Sequence, residues 1–506
     1  MVAIDGKSLT IEQVIAVSRD FEKVKLAKGA TKGIKKSRDF VEKILKENRV
    51  VYGITTGFGE LSSTSISSQE AHQLQENLIR SHAVGVGEPL SEDVVRGVIL
   101  LRANALAKGY SGVRKQIIDL LISLLNNQVY PYIPSQGSVG ASGDLAPLSH
   151  LALVLMGEGE CIKNGKRCSA KKILKEKKLQ SLKIEAKEGL ALINGTQVMS
   201  SIGCLAVKDA ERLLKNAQIA GVMSLEALKG TAKAFDSKIH ELRPYGGQTR
   251  CASNLRRLVN KSHVVASHKD CNRVQDAYTL RCMPQVYGAV MDTIDHVKNV
   301  LSIEINSATD NPLIFADEKE VISGGNFHGE PLAFAMDFLG IAMAEIANIS
   351  ERTVDRLVNP HVSGLPPFLT EHSGLHSGMM ITQYTAASLV SENKVLAHPS
   401  SVDSIPTSAG QEDHVSMGTI SARNAAKIIQ NVENVIAIEM LCATQGLDFC
   451  QNIPGEGTLE ACDIIRSQVK HLDHDRILYK DIAKIKDLII SGEIVKRIET
   501  KIGPLD

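Results

Sequence analysis

Gly140-Ala141-Ser142-Gly143-Asp144 is the stretch of this chain whose residue types could do unusual chemistry. Attack of the Gly143 amide nitrogen on the Ala141 carbonyl carbon closes a five-membered ring. Loss of water, including the Ser142 hydroxyl, then leaves an exocyclic methylene. Small residues permit the backbone compression, and Gly143 lacks the Cβ that would obstruct it. The ring nitrogen's lone pair is drawn into conjugation, which makes the methylene a strong electrophile. Ordinary side chains supply nucleophiles, acids and bases but no comparable electrophile. By itself, however, an Ala-Ser-Gly tripeptide is only a turn.

Other groups could serve such a centre. Tyr52 lies in the run Val51-Tyr52-Gly53-Ile54-Thr55-Thr56-Gly57-Phe58-Gly59. A tyrosine acts as a base near neutral pH only where positive surroundings lower its pKa. Asn194 sits in Leu192-Ile193-Asn194-Gly195-Thr196, and Phe327 in Asn326-Phe327-His328-Gly329. Gln275, Tyr278 and Arg281 are spaced three apart, so a helix there would put them on roughly one face. Arg281 suits a bidentate grip on a carboxylate. His82 follows Ser81, and Glu412 lies in Gln411-Glu412-Asp413-His414-Val415-Ser416. Glu412 either caps the helix that follows or meets an imidazole, whose two nitrogens both need partners. Taken singly, each has an ordinary reading: a packed loop aromatic, an Asn-Gly turn, a surface arginine, a structural histidine.

Together they carry a family resemblance. The 13 residues Gly137-Ser138-Val139-Gly140-Ala141-Ser142-Gly143-Asp144-Leu145-Ala146-Pro147-Leu148-Ser149 closely resemble the motif of the aromatic amino acid ammonia-lyases. In that family the motif forms 4-methylidene-imidazol-5-one (MIO). The resemblance extends over nearly the whole chain through the segments quoted above. It implies that Ala141, Ser142 and Gly143 become the MIO and that Tyr52 takes the β-proton. It implies further that Asn194 and Arg281 hold the substrate carboxylate, that Gln275 and Tyr278 support the MIO side, and that Phe327 packs near the MIO. The Ser81-His82 pair and Glu412 look like the form of the family's histidine-specific members, with both residues at the substrate imidazole. The implied reaction is non-oxidative loss of ammonia from L-histidine to give trans-urocanate, with no metal and no diffusible cofactor. A tyrosine or phenylalanine lyase, or an aminomutase with the same chemistry, is the nearest alternative. A non-catalytic helical scaffold that keeps the fold is the other.

The elements that must position these residues are mostly helices. Pro331 and Pro360 bracket apolar positions at Leu332, Ala335, Met336, Leu339, Ala342, Met343, Ile346 and Ile349, one stripe at helical spacing. Ser416–Cys450 and Val198–Leu228 read the same way, and Ser91–Leu125 is helical with a break near Gly109. Pro131, Pro134, Gly137, Gly140, Gly143 and Pro147 mark an irregular segment with Asp144 as its only charge, so this loop is expected to be buried. Asn164-Gly165 reads as a two-residue hairpin turn that sets Cys161 opposite Cys168. The fold expected is mainly α: a long antiparallel helical bundle (198–506), a loop-rich N-terminal lobe carrying the motif (1–197) and a small β-hairpin.

Composition excludes several classes. Lys+Arg number 58 and Asp+Glu 57, so nothing draws the chain to nucleic acid or an anionic membrane. The Lys-rich run 171–187 is diluted by glutamates and reads as a solvated face. Gly85-Val86-Gly87 lacks the third glycine of a dinucleotide site, and His372 and His376 lack the HExxH glutamate. Nine cysteines without a CxxC pair fit a reducing compartment. The N-terminus has no signal-peptide pattern, and the uncharged stretches Leu120–Gly143 and Gly189–Val207 are too polar to span a membrane. A cytoplasmic homo-oligomer is expected, and the resemblance implies a tetramer.

Overall fold

Apolar stripes at helical spacing become long helices in the computed structural model, which describes residues 1–57, 59, 66–67, 70–268 and 274–506. Phe58 and Cys271 lie outside the described residues. The helices that matter for the site are α1 (Ala71–His82), α2 (Glu92–Ala107), α3 (Lys115–Asn126), α4 (Leu145–Leu155) and α5 (Glu188–Ile193). Four longer ones follow: α6 (Gln197–Ala227), α7 (Met283–Glu304), α8 (Glu330–Val358) and α9 (Gly418–Asp448). The fold is mainly α with little sheet.

Each long helix follows from its sequence. In α8, Glu330 and Pro331 open the first turn, where a carboxylate meets the positive helix end and proline's missing N–H costs nothing. Pro360 cannot continue the helix and also disfavours helical backbone at Asn359. The predicted stripe from Leu332 to Ile349 is buried throughout. The other side of α8 leaves Phe334, Phe338 and Ile341 each 46% exposed. By length and composition α8 could cross a membrane, yet 72% of its most apolar stretch is buried inside the protein.

The chain divides into two compact units, each drawn from separate segments. The first takes Met1–Leu205, Lys298–Asp337 and Pro399–Arg423; the second takes Ala206–Val297, Phe338–His398 and Asn424–Asp506. In the first unit the loop 131–147 is largely buried, including Pro131–Pro134, Ala141, Gly143 and Asp144. The hairpin also forms there. Strands β1 (Glu160–Lys163) and β2 (Lys166–Ser169) pair with Cys161 opposite Cys168. Asn164 and Gly165 take φ of 51° and 72°, the left-handed pair that this tight turn requires. Both cysteines are thiols, and burial pushes the Cys161 thiol up to about 12. One lysine departs from the solvated face expected of 171–187. Lys187 is fully buried and ion-paired to Asp310 at 2.7 Å.

Candidate active site

The Ala141-Ser142-Gly143 turn is clamped by backbone contacts that only small residues allow. Gly143 has φ +72°, and a Cβ there would lie 2.1 Å from the Gly195 carbonyl oxygen. Asp144 N–H donates to that same carbonyl at 2.7 Å, and Gly195 N–H donates to Ser142 O at 3.3 Å. Ala141 is buried with Val415 and Met417, and Val139 packs against them. Ser142, between buried neighbours, is only half-buried and faces a pocket. Compact glycines on both sides and an accessible hydroxyl are what cyclisation to an MIO needs, so the residues present fit that group.

The first turns of three long helices meet this loop. The Asp144 carboxylate accepts from the Val198 and Met199 amides at 2.9 and 3.0 Å, within the start of α6. It also accepts from Ser138 Oγ at 3.0 Å and Thr419 Oγ1 at 2.5 Å, the latter at the start of α9. Gly329 N–H, just before α8, donates to Gly140 O at 3.2 Å, and Ser416 Oγ donates there too at 2.9 Å. Helix N-termini carry partial positive charge, so the starts of α6 and α9 stabilise the Asp144 carboxylate between them.

A pocket of about 790 Å³ opens on Ser142. Tyr52, His82, Ala141, Ser142, Asn194, Phe327 and Glu412 all line it. Glu412 does not cap α9. Ser142 Oγ donates to its Oε1 at 3.2 Å and Thr407 Oγ1 to its Oε2 at 2.7 Å, while Ser416 Oγ takes the Gly418 amide. His82 Nδ1 lies 3.0 Å from Ser81 Oγ. Burial lowers the His82 pKa, so its ring is neutral near pH 7 although Glu412 pulls the other way. Tyr52 shifts against the direction a base requires: burial raises its pKa, and the Glu412 charge adds to the rise. Asn194 Nδ2 donates to Asn311 O at 3.2 Å, and its Oδ1 is buried without a partner among the described residues.

Gln275, Tyr278 and Arg281 belong to the second unit and are absent from this lining. Only Tyr278–Arg281 is helical, so Gln275 shares no helix face with them. Gln275 lines a small separate recess with Arg356 and Val362. Tyr278 is 71% exposed, and the Arg281 guanidinium stacks over its ring at 4.5 Å.

Sequence reasoning passed over three lining residues. His328 and His414 stand parallel with ring centroids 5.7 Å apart, each beside a residue already singled out. Asn311, which anchors Asn194, had no signal beyond an Asn-Pro turn. His328, Glu330 and His414 bring possible metal-ligand atoms within 4.8 Å. Both His328 ring nitrogens are engaged, however: Nδ1 accepts from Glu330 N–H at 3.4 Å and Nε2 donates to His414 O at 3.3 Å.

Residues 9–467 match the sequence profile described as aromatic amino acid lyase. The chain belongs to the aromatic amino acid lyase family. Among relatives of this lyase, histidine ammonia-lyase of Alkaliphilus oremlandii is 56% identical over 98% of both chains. Histidine ammonia-lyase of Gloeobacter violaceus is 53% identical over 100% of this chain and 99% of its own. The crystal structure of histidine ammonia-lyase from Trypanosoma cruzi superposes with a TM-score of 0.92 at 44% identity, covering 99% of this chain and 95% of that one. Tyrosine aminomutase from Streptomyces globisporus superposes at 0.95 with 38% identity over 100% of both.

Proposed function

We propose that this lyase eliminates ammonia from L-histidine to give trans-urocanate, the opening step of histidine breakdown, using an MIO made from Ala141-Ser142-Gly143. The observation that carries the reading is the pocket itself. It sets the Ser142 hydroxyl against Glu412 and adds His82, Asn194 and Phe327 around one cavity. An MIO at this turn would supply an electrophilic methylene to the substrate amine and so make its nitrogen a better leaving group.

The chain's own residues do the rest. Glu412 offers a carboxylate to one ring nitrogen, and neutral His82 faces the ring from another side. Asn194 and Arg281 hold the α-carboxylate, and Tyr52 takes the β-proton. Fixing the substrate in this way supplies much of the rate gain. Tyr52 needs a positive neighbour, and Arg281, with Tyr278 and Gln275, reaches the pocket from another copy of the chain. The exposure of Tyr278 and of the α8 face supports a homo-oligomer, a tetramer in this reading. The balanced charge and the free cysteines among the described residues support a cytoplasmic location.

Intact mass and a urocanate absorbance assay test the proposal together. Wild-type protein is expected to be lighter than its sequence by two waters and to turn over histidine faster than tyrosine or phenylalanine. Ser142→Ala is expected to keep its full mass and lose its elimination activity. The chain has no Trp, so an MIO chromophore stands clear in the near ultraviolet. Faster elimination from tyrosine would overturn the choice of substrate. Mixed oligomers of Ser142→Ala and Arg281→Met chains should regain activity that neither has alone, because some sites then draw both intact residues.

A further inference from the structure

Behind the pocket wall a buried cation stands on the far side of the residue that touches the reactive turn. Arg102, on α2, is fully buried. Its Nη1 donates to the Asn194 carbonyl at 2.6 Å. Gly195 has φ +144°, and a Cβ there would lie 2.8 Å from Arg102 Nη1, 2.8 Å from Thr309 Oγ1 and 2.6 Å from Gln197 Oε1. The guanidinium therefore lies directly against the Asn194–Gly195 peptide. The other side of Gly195 holds Ser142 and Asp144 through the two hydrogen bonds already described. One residue thus separates a fixed cation from the turn that must close.

The charge around Arg102 is not balanced locally. Asp310 is the anion acting on it, and the same Asp310 is ion-paired to the fully buried Lys187. Arg102 Nε and Nη2 have no acceptor among the described residues. Burial lowers the guanidinium pKa to about 10, so it stays charged at neutral pH. A buried charge paired this thinly is a poor stabiliser, since apolar residues of similar volume often serve a core as well or better. Its geometry gives it another use.

We propose that Arg102 is a positioning residue for closure of the Ala141-Ser142-Gly143 ring, pressing the Asn194–Gly195 peptide against Ser142 and Gly143. The inference rests on the MIO reading. Ring closure joins Gly143 N to Ala141 C. The Ala141 carbonyl oxygen leaves as water with the two amide hydrogens of Ser142 and Gly143. The Ser142 hydroxyl leaves with its own Cα hydrogen as a second water, and no oxidant is needed. What the reaction needs is a compressed turn, and a slip of about 1 Å in such an arrangement costs about a hundredfold in rate.

Full-length wild type, Arg102→Met and Arg102→Lys, purified and incubated at fixed temperature, give the test. Intact mass follows the loss of two waters, and thermal unfolding reports the fold independently. Arg102→Met is expected to unfold cooperatively yet mature about a hundredfold more slowly. Arg102→Lys, which can still donate to Asn194 O, is expected to recover part of the rate. Maturation of Arg102→Met at the wild-type rate would overturn the proposal. Where that variant does not fold, Arg102→Lys decides: slower maturation supports the role and an unchanged rate refutes it. Failure of both to fold would make Arg102 scaffold only and also refute it. A wild type of full, unmodified mass would instead overturn the MIO reading beneath it.

Discussion

Two fully buried carboxylates, Asp144 in the first unit and Glu439 in the second, are treated very differently by their surroundings. Burial pushes both pKa values up. Asp144 accepts four hydrogen bonds, two of them from backbone amides at the start of α6. Glu439 accepts two, both from hydroxyls, Ser224 at 2.9 Å and Ser350 at 2.5 Å. An amide can only donate, whereas a hydroxyl can turn and accept from a protonated acid. The amides beside Asp144 therefore oppose neutralisation, and the hydroxyls beside Glu439 tolerate it. The Ala141-Ser142-Gly143 turn is built around a carboxylate held by fixed donors. The helical core has one that can drop its charge, with a pKa raised to about 7.

The largest effect expected from breaking this contrast is at Asp144. Asp144→Ala leaves the Val198 and Met199 amides without their acceptor, and each buried unpaired group costs about 1–3 kcal/mol. A loss of about 3 kcal/mol or more in denaturant unfolding is expected, with an uncyclised tripeptide by intact mass. At Glu439 the effect depends on pH. The folded value of about 7 stands above the ordinary 4.5, so between these limits the native protein holds a proton that the unfolded chain releases. The contribution is complete below pH 4.5 and lost as pH rises through 7. Glu439→Gln should flatten that slope, by at most about 3 kcal/mol at about 1.4 kcal/mol per unit. An unchanged unfolding profile over that range would show Glu439 ionised.

Asp144→Asn sharpens the contrast with a smaller change. The amide oxygen can face Val198 and Met199 while the NH₂ faces the Ser138 and Thr419 hydroxyls. The fold should survive, with about 1–2 kcal/mol lost with the charge. The smallest effect is expected at the hairpin, where burial acts with no donor to oppose it. Cys161, pushed to about 12, should resist thiol reagents in native protein while half-buried Cys168 reacts. Equal labelling of the two would contradict the burial argument.

Much of this was legible in the sequence. The α8 and α9 stripes, the break near Gly109 and the Asn164-Gly165 turn were readable because helical period, proline and left-handed glycine act over a few residues. The charge-poor loop 131–147 announced its own burial. Lys187 did not: the other lysines of 171–187 are solvated, and Asp310, far along the chain, makes its burial tolerable. Nor does any linear pattern show that 298–337 and 399–423 join the first unit. Those segments bring Phe327 and Glu412 to Ser142.

The sequence by itself determined the chemistry available: a tripeptide small enough to close, a histidine and a glutamate suited to an imidazole, a tyrosine and an arginine in recognisable runs. Those are local properties of residue type and order. Tertiary structure decided which groups meet. It turned Glu412 toward Ser142 and away from the cap of α9, and left Arg281 in the other unit. It set Arg102 behind Gly195, where a Cβ has no room. Such contacts join residues 92 and 270 positions apart, as Arg102 to Asn194 and Ser142 to Glu412 do. Only packing, which no short window of sequence encodes, can fix them.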